Sequence, residues 1–359
     1  MKDDLNQCPG PPRHLSRRRV IGLSGGIAGV GLAAAGLQHS TIVSGTDDET
    51  TAWQPIDDDG DCKMMPSWEV TLEEATADWS TRSDSSKYCS VPCGTADDTE
   101  LELGQQVRIS ADESGDDGFP DAIYTIVSTH EGAAVRLTQS GLDRIGANDA
   151  STATVGGQAV HPEYDTRRAG QYNNEYVEYV VGEEDQETDV FAIAPHGGFI
   201  EYGTDFQAEH VAEQRNDVGW ICSGFNDGGG SFDRWHVPST ELDRGSFPSL
   251  EGLSDKPADW AVAFHGYADE SIFIGGTASE SDRQLVADAV DDRVDGTDVV
   301  LASADATDYG GAAPTNILNE VAPVGQTIQL EQPTDVRQTQ WMAVADGVIA
   351  GLDAILESE

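Results

Sequence analysis

Two histidines of this chain each end an apolar run and each precede a glycine. His196 follows the run 190–195 and stands five residues before Glu201, and His265 follows the run 260–264. Imidazole nitrogens and carboxylate oxygens are zinc ligands, and a catalytic zinc has three protein ligands with water in the fourth position. His196, Glu201 and His265 are therefore candidate ligands of a catalytic metal. Either histidine alone would be an ordinary hydrogen-bonded polar residue.

A further carboxylate ends the apolar run 327–330. This residue, Glu331, is followed by a proline at position 333 and then by the last helical segment of the chain. A carboxylate at a strand end, opposite an activated water, could act as a general base. Spacing alone does not separate that role from a surface acid, because the chain contains 65 Asp and Glu residues.

The elements that must position these residues are visible in the hydrophobic pattern. Beyond Arg167, apolar runs alternate with helical segments, which is typical of an α/β layer fold with a mainly parallel or mixed sheet. Strands are predicted at 190–194, 218–222, 260–265, 271–274, 299–302 and 327–330, and helices at about 282–292 and 338–356. Because ligands of open α/β sheets bind beyond the carboxyl ends of the strands, the candidate residues stand where a site is expected.

The remaining sequence divides into three parts. Residues 1–36 contain Ser16-Arg-Arg-Arg-Val-Ile and an uncharged run rich in Gly and Ala, which resemble a twin-arginine export signal. Residues 37–100 are acidic and predicted to be a linker, whereas 101–160 show the short alternating stretches of a small antiparallel β domain. The predicted fold class is α/β, with an open mixed sheet flanked by helices over 165–359, preceded by that β domain.

The signal predicts export to the cell surface or the medium. Its apolar run is short and weakly hydrophobic for a stable membrane span, so we expect no span after the signal is removed; an uncleaved anchor is the alternative. An oxidising exterior permits disulfides. Cys89 and Cys93 lack a second pair at zinc-site spacing, so a disulfide or free thiols are expected there rather than a metal knuckle.

The net charge of -45 comes from acid spread along the whole chain, against only 20 Lys and Arg. In molar salt the Debye length falls to roughly 3 Å, which screens the repulsion between so many like charges. The composition therefore predicts a protein adapted to high salt. It argues against a nucleic-acid partner, because phosphate neutralisation needs clustered Lys and Arg.

Five segments together resemble, in order and spacing, the poly-γ-glutamate hydrolase family of zinc enzymes, which is related in fold to the zinc carboxypeptidases. They are Ala194-Pro-His-Gly-Gly-Phe-Ile-Glu, Arg234-Trp-His-Val-Pro-Ser-Thr, Phe264-His-Gly-Tyr, Gly310-Gly-Ala-Ala-Pro-Thr-Asn-Ile and Gln329-Leu-Glu. The resemblance covers about 189–337. It implies that His196, Glu201 and His265 bind Zn²⁺ and that Glu331 is the general base.

The resemblance also implies an activity, the hydrolysis of γ-glutamyl amide bonds in poly-γ-glutamate or a related acidic peptide. We expect the protein to be a monomer. The candidate substrate-binding residues are Arg234, His236, Tyr267, Asn316 and Arg337, arginine being a natural partner of a carboxylate. Glu320 stands where the family commonly has a basic residue. Two alternatives stay open: another zinc amidohydrolase or carboxypeptidase-like activity on a small acyl-amino acid or peptide, and a non-catalytic secreted surface-binding protein.

Overall fold

The protein folds into a six-stranded closed barrel followed by a seven-stranded open sheet. A computed structural model describes residues 67–75, 85–99, 101–112, 118–182, 188–253, 258–303 and 310–358. The predicted export signal and the first part of the predicted linker lie outside these residues. Within the described ranges, no helix is long and apolar enough to cross a membrane.

The barrel contains the strands that the sequence predicted at 101–160, and it begins earlier. Its strands are β1 (Ser67–Glu74), β2 (Tyr88–Pro92), β3 (Gln106–Ala111), β4 (Asp121–His130), β5 (Val135–Leu137) and β6 (Thr152–Gly156), in the order β1-β5-β2-β4-β3-β6. Three short helical segments connect them, a 3₁₀ turn η1 (Ser85–Lys87), α1 (Cys93–Thr99) and α2 (Gln139–Arg144). Apolar residues of all six strands fill its interior.

The predicted linker is therefore wrong for the residues from Ser67 onward. In β1 only Val70 and Leu72 are buried, and the acidic residues before and after them are exposed. The apolar alternation is therefore short and lies within an acidic stretch. The pairing also differs from a purely antiparallel domain, because β1 with β5 and β2 with β4 are parallel.

The cysteines follow the expectation of a disulfide together with free thiols. Cys93 is disulfide-bonded, whereas Cys89 and Cys222 are free and buried. Burial raises the pKa of both free thiols, which makes them poor nucleophiles at neutral pH.

The open sheet contains all six strands that were predicted beyond residue 167, and one more. Its strands are β7 (Tyr176–Val181), β8 (Val190–Gly198), β9 (Val218–Gly224), β10 (Trp260–Gly266), β11 (Ile272–Gly275), β12 (Val299–Leu301) and β13 (Thr327–Gln332), in the order β12-β11-β13-β10-β8-β9-β7. The central strands β9, β8, β10 and β13 are parallel, and β7 and β11 pair antiparallel with their neighbours. The predicted α/β class with a mixed sheet is confirmed.

Helices cover both faces of this sheet. They are α3 (Arg167–Asn173), α4 (Thr204–Arg215), α5 (Ser231–Trp235), the 3₁₀ turn η2 (Arg244–Ser246), α6 (Pro248–Leu253), α7 (Glu280–Asp291), α8 (Leu318–Val321), α9 (Thr334–Thr339) and α10 (Trp341–Leu356). The predicted helix at 282–292 corresponds to α7. The one predicted at 338–356 is α10 together with the end of α9, and the two helices are separated at Gln340.

Side-chain alternation divides the sheet into two core layers. Val262, Phe264 and Leu330 pack against α4, α7 and α10 on one face, whereas Ala261 and Ala263 belong to the core on the other face. Because strand side chains alternate with a period of two, His265 lies on the same face as Ala261 and Ala263. This face is opposite the one that packs against α10. Polar residues at the ends of β10 and β13 therefore project away from the main helical layer.

Candidate metal centre

The first candidate ligand is positioned by an irregularity at the end of β8. The pairing of β8 with β9 shifts register between Ala194 and Gly197, which changes the direction of His196 between them. Gly198 has φ +71°, and a Cβ atom there would lie 2.6 Å from the Gly224 carbonyl oxygen. Only glycine fits this close approach. The turn that follows places Glu201 beside His196, just before α4.

The other two functional side chains come from neighbouring strands. His265 of β10 and Glu331 of β13 are direct partners in the parallel register. The next residue of β10, Gly266, donates its amide to Glu201 Oε2 at 2.8 Å. This hydrogen bond ties the carboxylate of the β8–α4 turn to the strand that carries His265.

His196, Glu201 and His265, hereafter the ligand triad, converge through four donor atoms, the Nδ1 atom of each histidine and both oxygens of the carboxylate. His196 Nδ1 lies 3.2 Å from His265 Nδ1 and 3.2 Å from Glu201 Oε1, and His265 Nδ1 lies 3.6 Å from Glu201 Oε2. Ligand atoms of a tetrahedral zinc site with bonds of about 2.0–2.2 Å are separated by roughly 3.3–3.6 Å. The separations in the triad, 3.2–3.6 Å, are close to those of such a zinc site.

The hydrogen bonds of the imidazoles support the same assignment. His196 Nε2 lies 2.7 Å from the carbonyl oxygen of Val237, which can only accept, so this nitrogen carries a proton. In neutral His196 the lone pair is then on Nδ1, the atom that faces the triad. The second ring nitrogen of His265, Nε2, lies 3.3 Å from Ser239 Oγ. Both rings thus turn Nδ1 toward one point, and the residues present fit Zn²⁺.

The surroundings shift the pKa values of two of these groups, Glu201 and His265. Burial opposes ionisation of Glu201, but the charge of His196 and hydrogen bonds from both histidines outweigh it and hold the pKa of this carboxyl well below its usual range. Burial lowers the pKa of His265, against the opposing effect of Glu201. An ionised carboxylate and a neutral imidazole are the ligating forms.

A third histidine lies beside the ligand triad. His236 is mostly buried, its Nε2 is 3.8 Å from Glu201 Oε1, and its ring centroid is 4.3 Å from that of His196. With His196 and Glu201 it forms a set whose donor atoms all lie within 4.8 Å of one another. We take His265 as the third ligand, because its Nδ1 lies 3.2 Å from His196 Nδ1 and 3.6 Å from Glu201, whereas His236 Nε2 lies 3.8 Å from Glu201.

The candidate base faces the same pocket. Glu331 is buried, and Gln329 donates to its Oε1 at 2.9 Å. Burial and the charge of Glu201 raise the pKa of Glu331 well above its ordinary value, while the Gln329 hydrogen bond and the charge of Arg337 act in the opposite direction. A carboxyl group with a raised pKa is a stronger proton acceptor once it is ionised.

A cavity of about 320 Å³ joins these groups. Its lining includes the ligand triad and Glu331 and, among the predicted substrate-binding residues, His236, Tyr267 and Asn316. The Tyr267 hydroxyl donates to the Ser271 carbonyl oxygen, and the Asn316 amide donates to Gln329 Oε1. Asn316 therefore acts on Glu331 through Gln329.

The two predicted substrate-binding arginines lie elsewhere. Arg234 is buried against the barrel, where it forms an ion pair with Asp121. Arg337 lies under the site, with its guanidinium donating to the carbonyl oxygens of Tyr202 and Gln332. Neither arginine is among the residues that line the pocket, and their role in substrate binding stays a prediction. Sequence spacing could not show that the guanidinium group of Arg234 would donate to a carboxylate of the barrel and that of Arg337 to backbone carbonyl oxygens.

Some residues of the site were not predicted. Gln329 could have been found, because it stands two residues before Glu331 on a strand and so shares its face. Asp205 could not be singled out from the sequence, because acidic residues are abundant along the whole chain. It is fully buried, accepts a hydrogen bond from the Gly198 amide at 3.0 Å and forms an ion pair with Arg167 at 2.7 Å. It thereby fixes the glycine turn after His196.

The second half of the chain is similar to known proteins. Residues 168–345 match the model of the poly-gamma-glutamate hydrolase family. The resemblance inferred from the sequence is confirmed. The UPF0714 protein YndL of Bacillus subtilis (strain 168) is 29% identical over 170 residues, which is 46% of this chain and 62% of that protein. The match thus spans less than two thirds of this relative, and the barrel precedes the family match.

Three solved structures are similar to this chain at low sequence identity. A bacteriophage poly-gamma-glutamate hydrolase is 22% identical, with 51% of this chain and 91% of that chain covered and a TM-score of 0.43. A zinc-free apo structure of YndL is 23% identical, with 51% and 93% covered and a TM-score of 0.40. A metallo-carboxypeptidase from Burkholderia cenocepacia is 12% identical, with 70% and 82% covered and a TM-score of 0.35.

Proposed function

We propose that this protein is a zinc-dependent amidohydrolase that cleaves the γ-glutamyl bonds of poly-γ-glutamate. The family match over residues 168–345 supports a hydrolase of the poly-γ-glutamate hydrolase and metallopeptidase type. The observation that carries the finer proposal is the ligand triad, whose donor atoms are 3.2–3.6 Å apart and share one pocket with Glu331. Three protein ligands leave a coordination position for catalysis.

The residues of the pocket divide the chemistry among them. The ligand triad would hold Zn²⁺, which when bound polarises the scissile carbonyl and lowers the pKa of an attacking water. Gln329 occupies Oε1 of Glu331, which leaves Oε2 to accept the proton of that water. The same carboxyl group then returns a proton to the nitrogen of the scissile bond, because this nitrogen is a poor leaving group unless it is protonated. The Gly266 amide holds Glu201 in place through its hydrogen bond to Oε2, and the charge of Arg337 acts on both carboxyl groups from a distance.

An acidic cavity beside the pocket supports a second candidate. This cavity, of about 260 Å³, shares Thr240 with the catalytic pocket and is lined by Glu241, Asp243 and Glu320. A substrate portion with an amino group would be favoured there, and a carboxylate disfavoured. A carboxypeptidase-like or other amidohydrolase activity on a small peptide is therefore the alternative to cleavage of a polyanion.

The test is cleavage of poly-γ-glutamate by the zinc-loaded protein, with polymer length and free amines as readouts. A Glu331→Gln variant keeps the shape of the side chain and removes the proton acceptor. Chain shortening that is lost in this variant supports the proposal. Zinc binding without cleavage of the polymer would discard the substrate, and release of single residues from a short peptide would favour the alternative.

We also propose, from the sequence, that the protein is exported by the twin-arginine route. The supporting feature is Ser16-Arg-Arg-Arg, which precedes an uncharged run. Replacing Arg17 and Arg18 together with lysine should retain the protein inside the cell. Unchanged export of this variant would exclude that route.

A further inference from the structure

The segment that follows α5, residues 236–241, lies between the ligand triad and the barrel. It contacts both imidazoles of the triad on the side away from Nδ1: the Val237 carbonyl oxygen accepts from His196 Nε2 at 2.7 Å, and Ser239 Oγ lies 3.3 Å from His265 Nε2. Partners of this kind fix the tautomer and the ring orientation of a metal-binding histidine. The direction of both Nδ1 atoms therefore depends on the position of this segment, hereafter the wall segment.

The barrel holds the carboxyl end of the wall segment through one side chain. Gln106 of β3 is fully buried, its Nε2 donates to the Glu241 carbonyl oxygen at 2.6 Å, and its Oε1 accepts from the Asp243 amide at 3.0 Å. The backbone amide of Gln106 donates to Ser246 Oγ at 2.8 Å. These hydrogen bonds fix the end of the wall segment, and the turn beyond it, to a strand of the barrel.

The barrel holds the amino end of the wall segment through an arginine. Arg144 of α2 is buried, and its guanidinium donates to the carbonyl oxygens of Asp233 at 2.8 Å and Arg234 at 2.7 Å, both in α5. It also donates to the carbonyl oxygen of Ile123 in β4 at 2.6 Å. Because α5 ends at Trp235, the wall segment begins at a helix end that is fixed to the barrel.

The open-sheet half of the chain contributes its own contacts to the wall segment. Val237 is buried in the core of that half, and the Ile317 amide donates to the Ser239 carbonyl oxygen at 2.9 Å. These contacts hold the middle of the segment, whereas the barrel holds both of its ends. Loss of a barrel contact should therefore displace the segment without unfolding it, and should weaken metal binding without abolishing it.

We propose that the barrel positions the metal centre, and that Gln106 and Arg144 are positioning residues that orient His196 and His265 through the wall segment. This inference rests on the metal centre of the proposed function and is independent of the substrate. Neither Gln106 nor Arg144 lines the catalytic pocket, so both act through the backbone that they hold. The barrel is then a part of the catalytic unit rather than an independent binding module.

The test is the zinc affinity of Gln106→Met and Arg144→Met in the full chain, measured by competition with a chelator. Gln106→Met nearly keeps the side-chain volume and removes both side-chain hydrogen bonds to residues 241–243. Partners behind metal ligands contribute about 10–100-fold in affinity, and here they are displaced rather than removed, so each variant should bind zinc about three- to tenfold more weakly. The double variant should bind zinc more weakly than either single variant.

The matched control weakens the barrel without touching the wall segment. Gln106→Met also loses hydrogen bonds within the barrel, so a loss of barrel stability must be separated from a loss of positioning. Ser90 is buried in β2, and its hydroxyl is hydrogen-bonded to His130 Nδ1 at 2.8 Å. Ser90→Ala should lower the urea midpoint of unfolding and leave zinc affinity unchanged. Arg144→Lys keeps the charge and replaces Arg144→Met if that variant does not fold.

Hydrogen exchange of the zinc-free protein tests the contact between the barrel and the wall segment separately. Amides in peptides covering 236–243 should exchange faster in Gln106→Met than in the wild type or in Ser90→Ala. Unchanged exchange or unchanged zinc affinity in the positioning variants would overturn the inference and leave the proposed function standing. Zinc affinity that falls equally in Ser90→Ala would also overturn it, because affinity would then follow barrel stability alone.

Failure of the proposed function gives a different pattern. A wild-type protein that binds zinc but does not cleave poly-γ-glutamate refutes the substrate, and the zinc affinities of the variants still decide the inference. A wild-type protein that binds no zinc refutes the metal centre and this inference together.

Discussion

Replacing Gln329 should shift the pH dependence of catalysis without touching the ligand triad or the base itself. Gln329 Nε2 donates to Glu331 Oε1 at 2.9 Å, and its own Oε1 accepts from the Asn316 amide at 2.9 Å. In Gln329→Met the volume is nearly kept and the donor is lost. Glu331 then keeps the two influences that raise its pKa, burial and the charge of Glu201.

The size of the shift follows from the hydrogen bond that is removed. A hydrogen bond to a charged group contributes about 1.5–3 kcal/mol, and one pKa unit corresponds to about 1.4 kcal/mol. Because the protonated carboxyl retains part of this interaction, the pKa of Glu331 should rise by about one unit. Glu331 must be ionised to accept a proton, so the acidic limb of kcat/KM should move to higher pH by that amount.

The assay is the pH profile of kcat/KM for the zinc-saturated protein, measured at constant salt. Gln326→Met is the matched control, since Gln326 precedes the same strand and only its backbone is hydrogen-bonded to the core. Its profile should equal that of the wild type. An acidic limb that stays in place in Gln329→Met, or moves to lower pH, would contradict the role of Glu331 as the titrating base.

Three further changes test other parts of the structure. Asp121→Asn leaves the buried Arg108 and Arg234 without their shared carboxylate and should lower the free energy of unfolding in urea by about 3–5 kcal/mol. Burial opposes ionisation of Asp121, but these two arginines hold the pKa of its carboxyl group below the usual value. The wild type should therefore lose this stabilisation as the pH falls below about 4. A free energy of unfolding that does not change with pH in this range would contradict the prediction. In Gly266→Ala the new Cβ would lie 2.3 Å from Arg337 Cζ, which should displace the backbone amide that holds Glu201. Zinc binding, measured by competition with a chelator, should then weaken about tenfold. The control is Gly252→Ala, whose new Cβ would have no atom within 4 Å and should leave zinc binding unchanged. The melting temperature should rise between 0.1 and 2 M salt, because the Debye length shortens from about 10 Å to below 3 Å, and a falling melting temperature would refute adaptation to salt.

The strands that carry the site could be predicted because their signal is local. β8, β10 and β13 are buried apolar runs that end in His196, His265 and Glu331, and the carboxyl ends of parallel strands meet at one edge. Residue type and position made His196, Glu201 and His265 candidates, and the resemblance to the hydrolase family then implied that they bind zinc. The direct pairing of His265 with Glu331 depends on strand register, which no single run reveals.

What could not be predicted depends on contacts between distant segments. β1 and β2 belong to the barrel only through parallel pairing with β5 and β4, and their acidic surroundings resemble a linker. Arg234 looked available for substrate because its partner, Asp121, is 113 residues away. Lys87 of the barrel donates to the carbonyl oxygen of Phe232, which is 145 residues away, and such a long-range contact has no sequence signal.

Diffraction at the zinc absorption edge from crystals grown with Zn²⁺ tests the central claim most directly. The account predicts one anomalous peak per chain, bounded by the Nδ1 atoms of His196 and His265 and by the Glu201 carboxylate. Equilibrium dialysis should give one zinc per chain, and less in His265→Ala. A peak held by His236 in place of His265 would contradict the assigned triad, and no bound zinc at the site would contradict the metal centre itself.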